Sequence, residues 1–194
     1  MREFPFLTVV VAVLAIAGCT KGPSTSEVKA EATETTAAAA SDPLKSAMSA
    51  APKAVSDHAT IVMAKADGSM TTLRAGTNNF TCMPDNPNTP GNDPMCLDAN
   101  AMTWATAKMN HKPPEDGAPG VIYMLSGGTD ASNTDPFASK PTSGGDWIKT
   151  GPHVMIVGSA KALIGYPSGA NPDTAAPYVM WAGTPYAHLM VPIG

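Results

Sequence analysis

Apolar and polar positions along this 194-residue chain follow three successive patterns, and each predicts a different element. Residues 59–65 carry Thr60, Ile61, Val62 and Met63 in a short run of strand-forming side chains, and Ala66-Asp67-Gly68-Ser69 follows with an Asp-Gly turn signal. Residues 70–76 then return, so the pair reads as a β-hairpin. After Asp98 the period becomes helical: Ala101, Met102, Ala105 and Met109 recur at three- and four-residue spacing, with Trp104 near the same face. The Asp98 carboxylate can accept from a first-turn N–H, and Lys112-Pro113-Pro114 cannot continue a helix, which predicts a helix over Ala99–Met109. Gly120-Val121-Ile122-Tyr123-Met124-Leu125 is continuously apolar and of strand length, as expected of the most central strand of a sheet.

Two stretches interrupt this pattern. Residues 82–96 run from Cys82 to Cys96 with four prolines between, so neither a helix nor a central strand can cross them. Residues 126–146 are mostly Gly, Ser, Thr, Asp and Pro, and read as a long loop able to form the rim of a pocket. The last third returns to strands: Trp147-Ile148, His153-Val154-Met155-Ile156-Val157, Tyr178-Val179-Met180-Trp181 and His188-Leu189-Met190-Val191. The expected fold class is α+β, a largely antiparallel sheet with one or two short helices, long loops and one closed loop.

Residues 20–55 break from the rest in composition, with Val28, Leu44, Met48 and Val55 as their few large apolar side chains. So little apolar surface cannot offset the entropy of ordering, which predicts a flexible tether over 19–56 and a single domain over 57–194. Ahead of it, Arg2 precedes an apolar run from Phe6 to Ala17 that is too short to span a bilayer as a helix. The run ends in Ile16-Ala17-Gly18-Cys19, which resembles the lipobox of bacterial lipoproteins. That resemblance implies removal of residues 1–18 as a signal peptide, lipidation of Cys19, and a membrane partner reached through the lipid. Thr20 in place of an aspartate implies delivery to the outer membrane, facing the periplasm. Several acyl chains make a stable anchor where one would be marginal.

In an oxidising compartment the two remaining cysteines, Cys82 and Cys96, are expected to form a disulfide. It would close a loop of 15 residues and contribute about 3 kcal/mol on the chain-entropy account. Asp85, Asn86, Asn88, Asn92 and Asp93 offer oxygen ligands inside that loop, but Pro87 stands where an EF-hand needs a donor, so a structural staple is the reading. The body also resembles exported bacterial proteins with no assigned activity, through Cys82-Met83-Pro84-Asp85, Ser132-Asn133-Thr134-Asp135-Pro136-Phe137, Gly151-Pro152-His153-Val154-Met155 and Tyr178-Val179-Met180-Trp181. That resemblance implies export as one domain and carries no catalytic residue.

The net charge of −4 and the lack of a basic run disfavour nucleic acid as a partner. The methionines add more: ten of the 12 lie beyond residue 60, in a chain with four phenylalanines. They serve either as flexible packing or as soft metal ligands. The latter gains from a doubled pattern, since His153 and Met155, and again His188 and Met190, sit two residues apart and share a face in extended chain. If both strands lie in one sheet, the four side chains form an N₂S₂ set suited to copper, especially Cu(I), with Met180 as a possible further ligand. A hydrolase would instead use His153 or His188 as general base beside Asp85, Asp135 or Asp146, with Ser126 or Ser132 as nucleophile, although no G-x-S-x-G elbow is present. The broadest expectation is a non-enzymatic binding or structural role toward a small ligand or envelope partner, with Tyr123, Trp147, Tyr178, Trp181 and Tyr186 available to line a surface.

Overall fold

The computed structural model describes residues 42–65, 68–115 and 117–194. The expected signal segment, Cys19 and most of the expected tether lie outside the described residues. The chain divides into two units, 1–37 and 38–194, and the described residues all belong to the second.

Eight strands form one sheet. In chain order they are β1 (Thr60–Ala64), β2 (Met70–Arg74), β3 (Thr81–Met83), β4 (Met95–Leu97), β5 (Gly120–Met124), β8 (His153–Val157), β9 (Tyr178–Met180) and β10 (His188–Pro192). Their spatial order is β2-β1-β3-β4-β5-β8-β10-β9, and every neighbouring pair is antiparallel except β1 with β3. Among the described residues three α-helices accompany the sheet, α1 (Pro43–Met48), α2 (Lys53–Ser56) and α3 (Ala99–Met109), with one 3-10 turn over Ala160–Leu163. This is the expected α+β class with a largely antiparallel sheet, and β5 lies near its middle as its apolar run predicts.

Strand alternation sorts the buried side chains onto two faces. On one, Ile61, Cys82 and Cys96 line up across β1, β3 and β4, and Tyr123 of β5 continues the row. Cys82 and Cys96 are paired residues of neighbouring strands and are joined by the expected disulfide. Ala47, Ala50 and Ala51 pack on this face together with Ala59. The expected tether over 19–56 therefore ends too late, because α1 and α2 already belong to the packed unit. Few large side chains were needed there: alanines let the α1 segment approach the sheet closely, Asp42 caps it by accepting from Leu44 N–H at 3.0 Å, and Pro43 sits at its first turn.

On the other face, Leu97, Ile122, Met155, Met190 and Tyr178 form a second core, covered by α3 through Ala101 and Trp104. Asp98 Oδ1 accepts from Ala101 N–H at 2.8 Å while its Oδ2 accepts from Val121 N–H at 3.0 Å, so one carboxylate caps the helix and ties it to β5. Gly120 permits the contact, since a Cβ there would lie 2.3 Å from the Ala101 nitrogen. Met109, expected on the buried stripe, is instead 54% exposed: the helix runs past the edge of what it covers.

The stretch expected to be a structureless loop over 126–146 contains β6 (Gly128–Asp130), which pairs with β7 (Ile148–Thr150) as a separate two-stranded sheet. Gly127, at φ 88°, makes the turn that leads into it from β5.

Candidate functional site

The four strands β5, β8, β10 and β9 place soft side chains opposite one another on the α3 face. Met124 of β5 pairs with His153 of β8, Met155 of β8 with Met190 of β10, and His188 of β10 with Met180 of β9. All six are buried. Directly opposed residues of an antiparallel pair have Cα atoms about 4.5–5.5 Å apart, so each pair can share a small ligand. The two His-x-Met strands are indeed neighbours, and Met155 meets Met190. The two histidines of the expected four-ligand set stand at either end of that methionine pair. His153 lies opposite Pro192, beyond the methionine pair at one end, and His188 lies beyond it at the other. Four residues of strand separate the two positions, about 13 Å at the usual rise.

Both imidazoles are prepared in the same way. His153 Nδ1 lies 2.7 Å from the Gly151 carbonyl and His188 Nδ1 lies 3.0 Å from that of Tyr186. A carbonyl oxygen only accepts, so each Nδ1 carries the hydrogen, and each Nε2 is left with its lone pair. Both Nε2 atoms are buried and have no hydrogen-bond partner among the described residues. Burial pushes both histidines below the ordinary imidazole range, and His188 is brought down to about 4. A neutral imidazole whose Nδ1–H is fixed by a carbonyl and whose Nε2 is free has the form taken by metal-ligating histidines.

A cavity of about 530 Å³ opens onto this face. Eight methionines line it, among them Met83, Met95, Met102, Met124, Met155 and Met180, together with His188, Trp104 and Trp181. The proline loop and the β6 segment both contribute to its wall, through Asp93, Thr129, Asp130 and Ser132. His188 stands edge-on to both tryptophans, with ring centroids 5.4 Å from Trp104 and 4.8 Å from Trp181. Trp181 is held with φ at 56°, a conformation costly for a bulky residue. Its backbone N–H donates to the Asn133 carbonyl at 2.8 Å and its indole N–H to the Ser132 carbonyl at 3.0 Å. Asn133 is buried and donates in turn to the Val179 carbonyl at 3.2 Å, so the segment around Ser132 fixes the tryptophan wall.

Charge gathers at the same cavity. The Lys108 ammonium lies 4.6 Å from the Trp181 ring and 5.6 Å from Phe137, and burial lowers its pKa against the pull of Asp130 and Asp135. Burial raises Asp130 to about 6, with Lys108 opposing that rise. Asp93 is also raised by burial, and it holds the proline loop together by accepting from Asn86 N–H at 3.0 Å and from the Thr89 hydroxyl. The carboxylates of Asp85 and Asp93 thus bind the backbone of their own loop, as a structural staple would.

For general-base chemistry the partners differ from those expected. Among the described residues neither histidine hydrogen-bonds a hydroxyl or a carboxylate. Ser132 accepts from Thr134 and Asp135 N–H, Asp135 accepts from Phe137 N–H, and Ser126 pairs with Ser49. Nor do three His, Cys, Asp or Glu side chains cluster where they could hold a metal ion among the described residues. Sequence reasoning missed Met124, Trp104 and Lys108 as parts of the site. The abundance of methionine was the one available signal, and it gave no positions. Comparison with protein-family models, with curated proteins and with solved structures finds no match.

Proposed function

We propose that this chain is a lipid-anchored protein of the bacterial envelope whose folded unit binds Cu(I) on the floor of the methionine-lined cavity, through His188 and Met180. The buried, unpartnered Nε2 of His188 carries this reading. A buried acceptor left without a donor costs about 1–3 kcal/mol, and a metal ion repays that cost where an apolar wall would not. The neighbouring donors are thioethers, which favour Cu(I) over harder ions. Ionised Asp130 adds negative charge at the cavity, which favours a cation. The role is binding rather than catalysis, and the membrane partner is reached through the lipid on Cys19.

Anaerobic titration of the mature chain with Cu(I) against a competing chelator tests the metal. The expected result is competition by the wild type and loss of that competition in His188→Ala. Copper uptake no better than the chelator's background, or unchanged in the variant, contradicts the proposal. The anchor has its own test in cell fractionation: Cys19→Ser is expected to leave the membrane fraction, and its retention there would overturn the lipid assignment.

A second reading rests on Trp104, whose indole N–H is buried without a partner beside the same cavity. That donor and the His188 acceptor would together suit a small apolar molecule bearing a hydroxyl group. Such a ligand is expected to displace no copper chelator, and it would quench Trp104 or Trp181 fluorescence with no metal added.

A further inference from the structure

A second pair of opposed methionines lies across the sheet from His188. Met83 of β3 pairs with Met95 of β4, the next pair along from Cys82 and Cys96 in the same register. Strand alternation turns both thioethers away from the disulfide face and onto the face under α3, where they pack against the core of that side. The disulfide joins the residues beside them, so it holds the two strands in register and the two methionines opposite one another.

This pair differs from the other in exposure. Met155 and Met190 are buried, whereas Met83 and Met95 are half-buried and line the cavity. Directly opposed residues, with Cα atoms about 4.5–5.5 Å apart, can bring two thioethers onto one ion. Thioethers without a harder donor beside them suit Cu(I). Asp93, Asp130 and Asp135 line the same cavity against the one ammonium of Lys108, a balance that draws a cation in.

The pair is too far from the buried site to belong to it. β10 stands three strands beyond β4, about 14 Å across the sheet at the usual strand spacing. Between them, Met155 of β8 and Met124, which follows the β5 partner of Cys96, also line the cavity.

We infer that Met83 and Met95 form an outer receiving site for Cu(I), from which the ion passes along Met124 and Met155 to His188. This inference rests on the Cu(I) reading of the cavity. Thioethers carry no proton and copper stays Cu(I) throughout, so each step exchanges one neutral donor for the next.

NMR of the mature chain labelled at its methionine methyl carbons, titrated with Cu(I) without oxygen, reads which thioethers the ion touches. Met83 and Met95 are expected to shift in the wild type and to keep shifting in His188→Ala, where Met180 falls silent. Shifts at Met180 with none at Met83 or Met95 would overturn this inference and leave the copper reading intact. So would shifts at Met83 and Met95 that vanish in His188→Ala. No methionine shift in the wild type would overturn both. Should His188→Ala fail to fold, the wild type decides alone: Met83 and Met95 are expected to follow a different titration curve from Met180, and one common curve overturns the inference. The receiving role is read from kinetics. Met83→Leu combined with Met95→Leu nearly conserves volume and is expected to slow Cu(I) loading from a chelator complex several-fold, with an unchanged circular dichroism spectrum. Loading as fast as in the wild type would overturn that role.

Discussion

His188 holds its proton on Nδ1 because the Tyr186 carbonyl can only accept, and it stays neutral because burial penalises the imidazolium. That has a consequence for stability. In the unfolded chain the side chain titrates near 6.5 and in the fold near about 4. Between those values the unfolded state binds more protons, so stability is full above pH 6.5 and declines as pH falls toward 4. Asp130 acts in the opposite sense: its folded pKa of about 6 lies above 3.8, so it adds stability as pH falls through the same window. Comparing wild type with His188→Gln separates the two, because Asp130 is common to both. The urea midpoint of the wild type is expected to fall further between pH 7 and pH 4.5 than that of the variant; equal falls would show that His188 does not titrate as its burial requires.

At the level of elements, what could be read from the chain was whatever local chemistry decides. Asp98 and the Pro113-Pro114 stop bounded α3 because caps and breakers act within a few residues. The β1–β2 hairpin followed from a turn signal between two strand-forming runs, and β5 from its continuous apolar character. The Cys82–Cys96 bond was legible because, on the expectation of export with Cys19 lipidated, the two remaining cysteines have one pairing to make. The parts that were not legible depend on tertiary contact. Helix α1 carries no amphipathic stripe of large side chains, and its alanines gain their value only against the face of Ile61, Cys82 and Cys96. Strand β6 hides in a polar stretch because Gly128 is buried for the room it leaves rather than for what it packs. The His-x-Met repeat correctly indicated two strands sharing a sheet. Register then decided that its methionines lie opposite one another with a histidine at either end, and one residue of register cannot be read from pattern alone.

Across the whole unit, the sheet separates two tasks. The face carrying the disulfide packs the alanines of the α1 segment against Ile61, Cys82 and Cys96, with Phe80 and Tyr123 beside them. The face under α3 is built from methionine, tryptophan and two unpartnered imidazoles, and it opens to a cavity whose wall comes from both irregular segments of the chain. Methionine packs as well as leucine but leaves a soft donor on every wall. That choice of side chain, combined with neutral, pre-oriented histidines, supports the proposal that this face takes Cu(I). Copper X-ray absorption on the Cu(I)-loaded mature chain tests this most directly. Imidazole nitrogen and thioether sulfur are expected together in the first coordination shell. A shell of oxygen and nitrogen without sulfur, or one of sulfur without imidazole nitrogen, would contradict the Cu(I) reading.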